Sequence, residues 1–332
     1  MRNNSQATKL DIKETQIAIK SLKDFFERDL ANTLNLTRVS APLFVRPETG
    51  LNDNLSGTEK AVSFSLRKYG IEVEIVQSLA KWKRYALKTY GFDYYEGLYT
   101  DMNAIRPDEE IDDIHSIYVD QWDWEKIIRR EDRTIDYLKF IVSEIFSVFK
   151  RTESYINSVY PFALSKKLPE QIFFITSQEL EDMYPNLSPK ERENSICREK
   201  KAVFIMGIGS ALNSGHPHDD RSPDYDDWDL NGDILFYNPV NDSAIELSSM
   251  GIRVDEESLV RQLEIADEKD RMELDYHKSL VNGELPFTVG GGIGQSRICM
   301  FFLEKKSLGE VQASVWPEDF LLEAKLKGLN IL

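Results

Sequence analysis

Cysteine is nearly absent. Cys197 and Cys299 are the only two in 332 residues, which excludes a disulfide framework and any four-thiolate metal site. Positive charge is also short: 41 Lys and Arg face 57 Asp and Glu, a formal charge of −16. An acidic surface repels a phosphate backbone, so the balance argues against a nucleic-acid scaffold. Long hydrophobic runs are missing too. The N-terminal MRNNSQATKLDIK has no apolar core of the kind a signal peptide carries. The longest mainly apolar stretch, Ala202 to Leu212, is broken by Gly207, Gly209 and Ser210, far short of the ~20 residues a membrane span needs. These absences predict a reduced, cytoplasmic protein with neither a membrane nor a nucleic-acid partner.

Common nucleotide and metal motifs fail as well. Gly207-Ile-Gly209 has Leu212 where the dinucleotide fingerprint needs a third glycine, and Gly290-Gly-Gly-Ile-Gly294 has Gln295 in the corresponding place. No Gly-Lys pair exists, so there is no P-loop. His216-Pro-His218 sits in an acidic loop without two further ligands at zinc spacing, and is expected to be a structural or solvated loop. A glutaminase needs an activated thiolate. Residue 2 is Arg2, and neither cysteine has a nearby histidine, so none is expected.

What is present is an ordinary globular composition, 41% hydrophobic and 30% charged, with a length that supports a large core. Ile19, Leu22, Phe26, Leu30 and Leu34 recur at helical spacing within Lys9–Asn35. A β-like stretch, Leu36–Val45, contains Pro42. Strands are expected at Ala61–Leu66, Glu72–Gln77, Ser116–Trp124, Gln171–Thr176, Lys201–Gly207, Asp233–Tyr237 and Ala244–Val254. Helices are expected at Leu79–Tyr90, Thr134–Tyr160, Glu256–Ile265 and Arg271–Val281, with a last one opening near Gly294. Strands cluster with hairpin-length gaps, which favours an α+β fold: a mostly antiparallel central sheet flanked by helices. No repeat or low-complexity linker divides the chain, so residues 1–332 are read as a single domain.

Three segments combine unusual residues: the loop Ala104-Ile-Arg106-Pro-Asp-Glu109, the acid- and serine-bearing Asn231–Ile234 and Ala244–Arg253, and a glycine turn that ends in Arg297. Glycines let backbone approach a ligand, arginines fork onto phosphate, and paired carboxylates hold Mg²⁺ against phosphate oxygens. Together they make a workable ATP site.

This order resembles the catalytic core of the class II aminoacyl-tRNA synthetases: a long helix, a strand with Pro42, the loop Arg106, and Gly292-Ile-Gly294-Gln-Ser-Arg297. The resemblance is closer to one relative, the ammonia-dependent asparagine synthetases, AMP-forming aspartate–ammonia ligases. It is carried by Asn52-Asp-Asn-Leu-Ser-Gly57, Ser78-Leu-Ala-Lys-Trp-Lys-Arg84, Gly97-Leu-Tyr-Thr100, Arg106-Pro-Asp-Glu109, Tyr118-Val-Asp-Gln-Trp-Asp-Trp-Glu125, Pro223-Asp-Tyr-Asp-Asp-Trp228, Asn231-Gly-Asp-Ile234, Glu246-Leu-Ser-Ser-Met-Gly-Ile-Arg-Val-Asp255 and Gly290–Arg297. These strings span about residues 50 to 316. The connection Trp228–Asn231 looks short beside some members of the family.

The resemblance implies a reaction. The β-carboxylate of aspartate attacks the α-phosphorus of ATP, and ammonia then attacks the β-aspartyl-AMP, leaving asparagine, AMP and pyrophosphate. By the family's pattern Arg106 bridges substrate carboxylate and α-phosphate, and Asp233 and Glu246 hold Mg²⁺. Arg297 meets the terminal phosphates or the adenine face, Ser116 and Glu109 lie near the nucleotide, and Gly292 and Gly294 let it approach. For aspartate, Lys83 and Ser78 are the expected carboxylate partners, Gln121, Ser248 and Ser249 the hydrogen-bond donors, and Arg253 a further fork. Asp53, Asp123 and Asp226 suit an ammonium group, and Asp53 or Asp226 is expected to take the proton of NH₄⁺. Lys81 and Arg84 are expected on a solvated face, Trp122 and Trp124 in packing, and Cys299 as a core thiol. The resemblance also implies a homodimer through the first helix and the Pro42 strand. A rival reading is an aspartyl-tRNA synthetase-like paralogue that acts on tRNA; the early start of the core and the acidic charge argue against it.

Overall fold

The computed structural model describes residues 10–53, 60–161 and 163–332. Lys9 of the expected first helix, and Asn54–Gly57 of the first family string, lie outside them. Helix α1 (Ile12–Leu34) starts at a capping box in which Asp11 and Glu14 satisfy each other's backbone N–H. Its buried stripe, Ala18, Leu22, Phe26, Leu30 and Leu34, keeps the three-and-four spacing that puts apolar residues on one face. Each large residue of that stripe contributes about 1.5–3 kcal/mol on burial. Leu22 and Phe26 therefore serve this chain's own core, and Phe26 stacks on Trp122 at 4.9 Å.

The remaining elements are β1 (Leu36–Arg38), β2 (Phe44–Val45), β3 (Ser63–Leu66), β4 (Ile71–Ile75), α2 (Ala80–Tyr90), β5 (Gly97–Ile105), β6 (Tyr118–Ile127) and α3 (Ile135–Val159). They continue with β7 (Phe173–Thr176), α4 (Ser177–Met183), α5 (Pro189–Lys200), β8 (Ala202–Met206), β9 (Asp226–Asn238), β10 (Ser243–Arg253) and α6 (Glu256–Ile265). The chain ends with α7 (Asp275–Val281), β11 (Thr288–Gly294), α8 (Gln295–Phe302) and α9 (Glu318–Leu326). An eight-stranded sheet runs β1-β5-β6-β11-β10-β9-β8-β7, beside a small sheet β2-β4-β3. Only the edge pairs β1–β5 and β7–β8 are parallel among the described strands. The mostly antiparallel α+β expectation therefore holds.

The two faces of the large sheet differ because side chains alternate along a strand. On β6, Trp122 and Trp124 enter the main core with α1, α3 and α8. Gln121, Asp123 and Glu125 point to the other face, where α2 packs. Among the described residues no helix is long and apolar enough to cross a membrane.

Several expectations need correction. The glycine run is not a turn; it is the central strand β11, hydrogen-bonded to β6 and β10. Pro42 lies between β1 and β2, not inside a strand. Trp228–Asn231 is no connection at all, but part of the long strand β9. The helix after Gly294 is followed by α9, and β5, α4 and α5 are additional elements. The α5 sequence, PKERENSICREK, buries only Arg192, Ile196 and Cys197, so its apolar face is too sparse to announce a helix. Lys81 and Arg84 are buried, not solvated. Lys81 Nζ donates to Asp224 Oδ2 at 2.8 Å, and Arg84 donates to the carbonyls of Pro286 and Val254 at 2.8 and 2.7 Å. His218 is buried as well, with Nε2 3.3 Å from Glu193. Trp122, Trp124 and Cys299 are in the core as expected.

Candidate active site

Strand β11 has almost no side chains because its neighbours fill the space. A Cβ on Gly290 would stand 2.0 Å from Glu125 Oε2, and one on Gly292 would stand 2.3 Å from Gln121 Oε1. Gly291 would meet the Ser249 carbonyl at 2.7 Å. The three need room, not unusual dihedrals. The antiparallel register then lays one row across the sheet: Thr100, Asp123, Gly292, Ser249 and Asp233 on five adjacent strands. Residues more than a hundred apart in sequence thus share one line on one face.

Over this floor lies a cavity of about 330 Å³, at the lower end of the range for small-molecule sites. Its walls take Asp53, Ser78, Lys83, Arg106, Glu109, Ser116, Gln121, Asp123, Asp226, Glu246, Ser249, Arg253, Gly292, Gly294 and Arg297. All the candidate residues from the sequence except Ser248 and Asp233 therefore meet in one place. Ser248 lies one position off the row; its hydroxyl is buried away from the cavity and has no hydrogen-bond partner among the described residues. Asp233 is on the row but sits behind Arg221, whose Nη2 is 2.7 Å from its Oδ1.

One end of the cavity is a buried chain of alternating charges. Lys83, delivered by α2, lies 3.0 Å from Asp123 Oδ2 and donates to the Gly291 carbonyl at 3.0 Å. Burial pushes the Lys83 ammonium down, although Asp123 favours its charge. Arg253 forks onto Glu125, with Nη2 to Oε2 at 2.7 Å and Nε to Oε1 at 3.0 Å, and its Nη1 pairs closely with Asp226. Burial raises the Glu125 carboxyl, but Arg253 and Lys83 outweigh it and hold it below the ordinary carboxylate range. Thr288 Oγ1 adds a donor at 2.6 Å. Arg253 therefore spends its fork on Glu125 and Asp226, and it presents charge to the cavity more than free N–H groups.

Two further arginines line the cavity. Arg106 follows the last residue of β5; its Nη2 donates weakly to the Gln77 carbonyl at 3.4 Å, and its buried Nε has no partner among the described residues. Arg297, in the first turn of α8, donates to the carbonyls of Glu246 and Ile114 at 3.1 and 3.3 Å and stands 3.7 Å from Glu246 Oε2. Burial, with Glu246 as an added negative neighbour, pushes the Asp233 carboxyl up to about 7 against the opposing pull of Arg221. Among the described residues no group of three or more His, Cys, Asp or Glu could hold an ion by itself. Two carboxylates with hard oxygens, strained by mutual repulsion, nevertheless suit a divalent cation that takes its other ligands from phosphate and water.

Sequence reading missed Arg221, Tyr225 and Glu125. The signal for Arg221 was a single cation within the acidic run Asp219-Asp-Arg-Ser-Pro-Asp224. Glu125 was the second acid on the Asp123 face of β6.

The fold belongs with the class II tRNA synthetases. An asparaginyl-tRNA synthetase from Pyrococcus horikoshii, solved in complex with asparaginyl-adenylate, matches with a TM-score of 0.69 over 91% of this chain and 70% of that one, at 14% identity. Within that fold, the chain matches the AsnA family, aspartate–ammonia ligase, over residues 13–328, and it belongs to this family. An aspartate–ammonia ligase from Ruminiclostridium cellulolyticum is 64% identical over 324 residues, 97% of this chain and 96% of that protein. One from Clostridium tetani is 63% identical over 326 residues, 98% of this chain and 95% of that protein.

Proposed function

We propose that this protein joins ammonia to the side-chain carboxyl of aspartate, driven by cleavage of ATP to AMP and pyrophosphate. The observation that carries the reading is that Arg106, Arg297 and a buried carboxylate–ammonium network line the same cavity over the glycines of β11. A carboxylate is a poor electrophile, so it must first take an adenylyl group. Both reactants are anions, and positioning with charge neutralisation is the catalytic task.

In this reading Lys83, with Ser78 and Gln121, receives the α-carboxylate, and Asp123 and Asp226 face the amino group. Arg253 pairs with Asp226, and Lys83 with Asp123. Arg106, whose Nε has no partner among the described residues, bridges the β-carboxylate and the α-phosphate. Arg297 meets the outer phosphates, with Ser116 and Glu109 beside the nucleotide. Asp233 and Glu246 hold Mg²⁺, which when bound neutralises phosphate charge. Asp53, buried in the wall, draws in NH₄⁺ and takes its proton as the nitrogen attacks the acyl carbon and AMP leaves.

Incubating the protein with aspartate, ATP, Mg²⁺ and ammonium should give equimolar asparagine, AMP and pyrophosphate, and glutamine should not replace ammonium. AMP release only on addition of tRNA would favour the synthetase reading instead. We further read residues 1–332 as a single cytoplasmic catalytic domain that pairs as a homodimer. The exposed Leu43 and Phe44 near Pro42, and the outward Ile12 and Ile17 of α1, support this surface. Sedimentation equilibrium should give twice 38.4 kDa.

A further inference from the structure

Among the described residues, Arg221 is the cavity's one guanidinium that none of the roles above uses. Its Nη2 lies 2.7 Å from Asp233 Oδ1, its Nη1 donates to Ser249 Oγ, and its buried Nε has no partner among the described residues. It lines the cavity, whereas the carboxylate it holds does not. We propose that Arg221 holds the seat of the divalent cation in the resting enzyme, and that the arriving ion displaces it toward the phosphates. The inference rests on reading Asp233 and Glu246 as the cation's ligands.

The argument is electrostatic. Asp233 faces Glu246 and Asp219, and Arg221 is the cation that offsets this repulsion. A divalent ion on the same oxygens supplies twice the charge at shorter range, and then repels the guanidinium it replaces. A nucleotide phosphate in the cavity would offer that fork another anion, for which the idle Nε is an additional donor. The backbone can stay in place meanwhile. Asp224, three residues on, is pinned by Lys81, His277 and Arg271 at 2.8, 2.9 and 3.3 Å, so the movement is confined to the side chain. Arg221 would thus make metal binding and pyrophosphate binding mutually dependent.

The test uses Mn²⁺ as a paramagnetic probe of the intact protein without nucleotide, at pH 8 so that the carboxylates stay ionised. Arg221→Met should bind Mn²⁺ alone roughly tenfold tighter than wild type, because a competing cation is gone. The same variant, saturated with Mn²⁺, should bind pyrophosphate roughly tenfold more weakly, because a charged donor is gone. Arg221→Lys keeps a cation but loses the fork. Its Mn²⁺ affinity should lie between the two, which decides the matter should Arg221→Met fail to fold. Unchanged or weaker Mn²⁺ binding in these variants, or unchanged pyrophosphate binding, overturns the proposal and leaves Arg221 a structural ion pair. Asp233→Asn, read in parallel, separates the two ideas. If it binds Mn²⁺ like wild type, the assignment of the cation seat fails, and the proposal with it.

Discussion

Among the described residues the Arg106 guanidinium makes a single weak hydrogen bond, to the Gln77 carbonyl, so little in the described structure depends on it. Arg106→Ala should therefore fold normally and lose roughly 10²–10³-fold in aspartate-dependent ATP–pyrophosphate exchange, the usual cost of a preorganised charged donor. Wild-type exchange would remove Arg106 from the chemistry. The two candidate ammonium acids differ in their surroundings. Asp226 is ion-paired with Arg253, so Asp226→Asn leaves that buried guanidinium with Glu125 as its remaining partner and should depress exchange and asparagine formation together. Asp53 is held through its main chain by Asn52 and Gln77. Asp53→Asn should spare exchange and lower asparagine formation, most of all at limiting ammonium. Equal losses in both steps would sink its ammonia role.

At the scale of elements, β11 and α2 work as a pair. The glycine strand yields its space to Glu125 and Gln121, and α2 closes over it with Lys83 on the Gly291 carbonyl and Arg84 on the chain at either side. A methyl added at Gly290 meets a carboxylate that is itself clamped by Arg253, so the neighbour has nowhere to go. Gly290→Ala should cost about 1–3 kcal/mol by overpacking. Gly283→Ala offers a contrast, because nothing lies within 4 Å there and its penalty comes only from a φ of +69°. Denaturant titration of the two variants, with aspartate binding measured alongside, distinguishes them: only the β11 change should weaken aspartate. Equal aspartate affinities would mean that the strand is merely structural.

At the scale of the whole molecule, Asp224 ties three distant segments together. Its carboxylate accepts from Lys81 on α2, Arg271 in the turn Lys269–Glu273, and His277 on α7. Burial alone would raise this carboxyl, but Lys81 and His277 hold it well below the ordinary range. A depressed carboxylate pKa stabilises the fold at pH values above the unfolded value near 4, and this support disappears as the pH falls through the lower folded value. Asp224→Asn should lose about 3–5 kcal/mol at pH 7, because Lys81 stays buried without its anion. It should also lose less additional stability than wild type between pH 5 and 3. Melting curves across that range check both; parallel pH profiles would show that Asp224 is not the titrating support.

The sequence by itself determined the chemistry and most of the helices. Side-chain type and local spacing are written along the chain, so the amphipathic stripe of α1, the run Glu256–Ile265, the buried Trp122 and Trp124, and the arginines and acids that line the cavity, apart from Arg221 and Glu125, were legible there. Tertiary structure alone decided the places where a long-range neighbour overrides a local pattern. Gly290–Gly294 resembles a turn until Glu125 and Gln121 claim its space, and Lys81 and Arg84 resemble a wet helix face until Asp224 and two buried carbonyls are brought to them. The alignment of Asp123, Gly292, Ser249 and Asp233 likewise exists only through strand register, and so does the separation of Ser248 from Ser249. Arg221 gains its meaning from a carboxylate on a strand that its own sequence neighbours do not announce, because hydrogen-bonded register and burial are properties of pairs of segments, which no single stretch of chain contains.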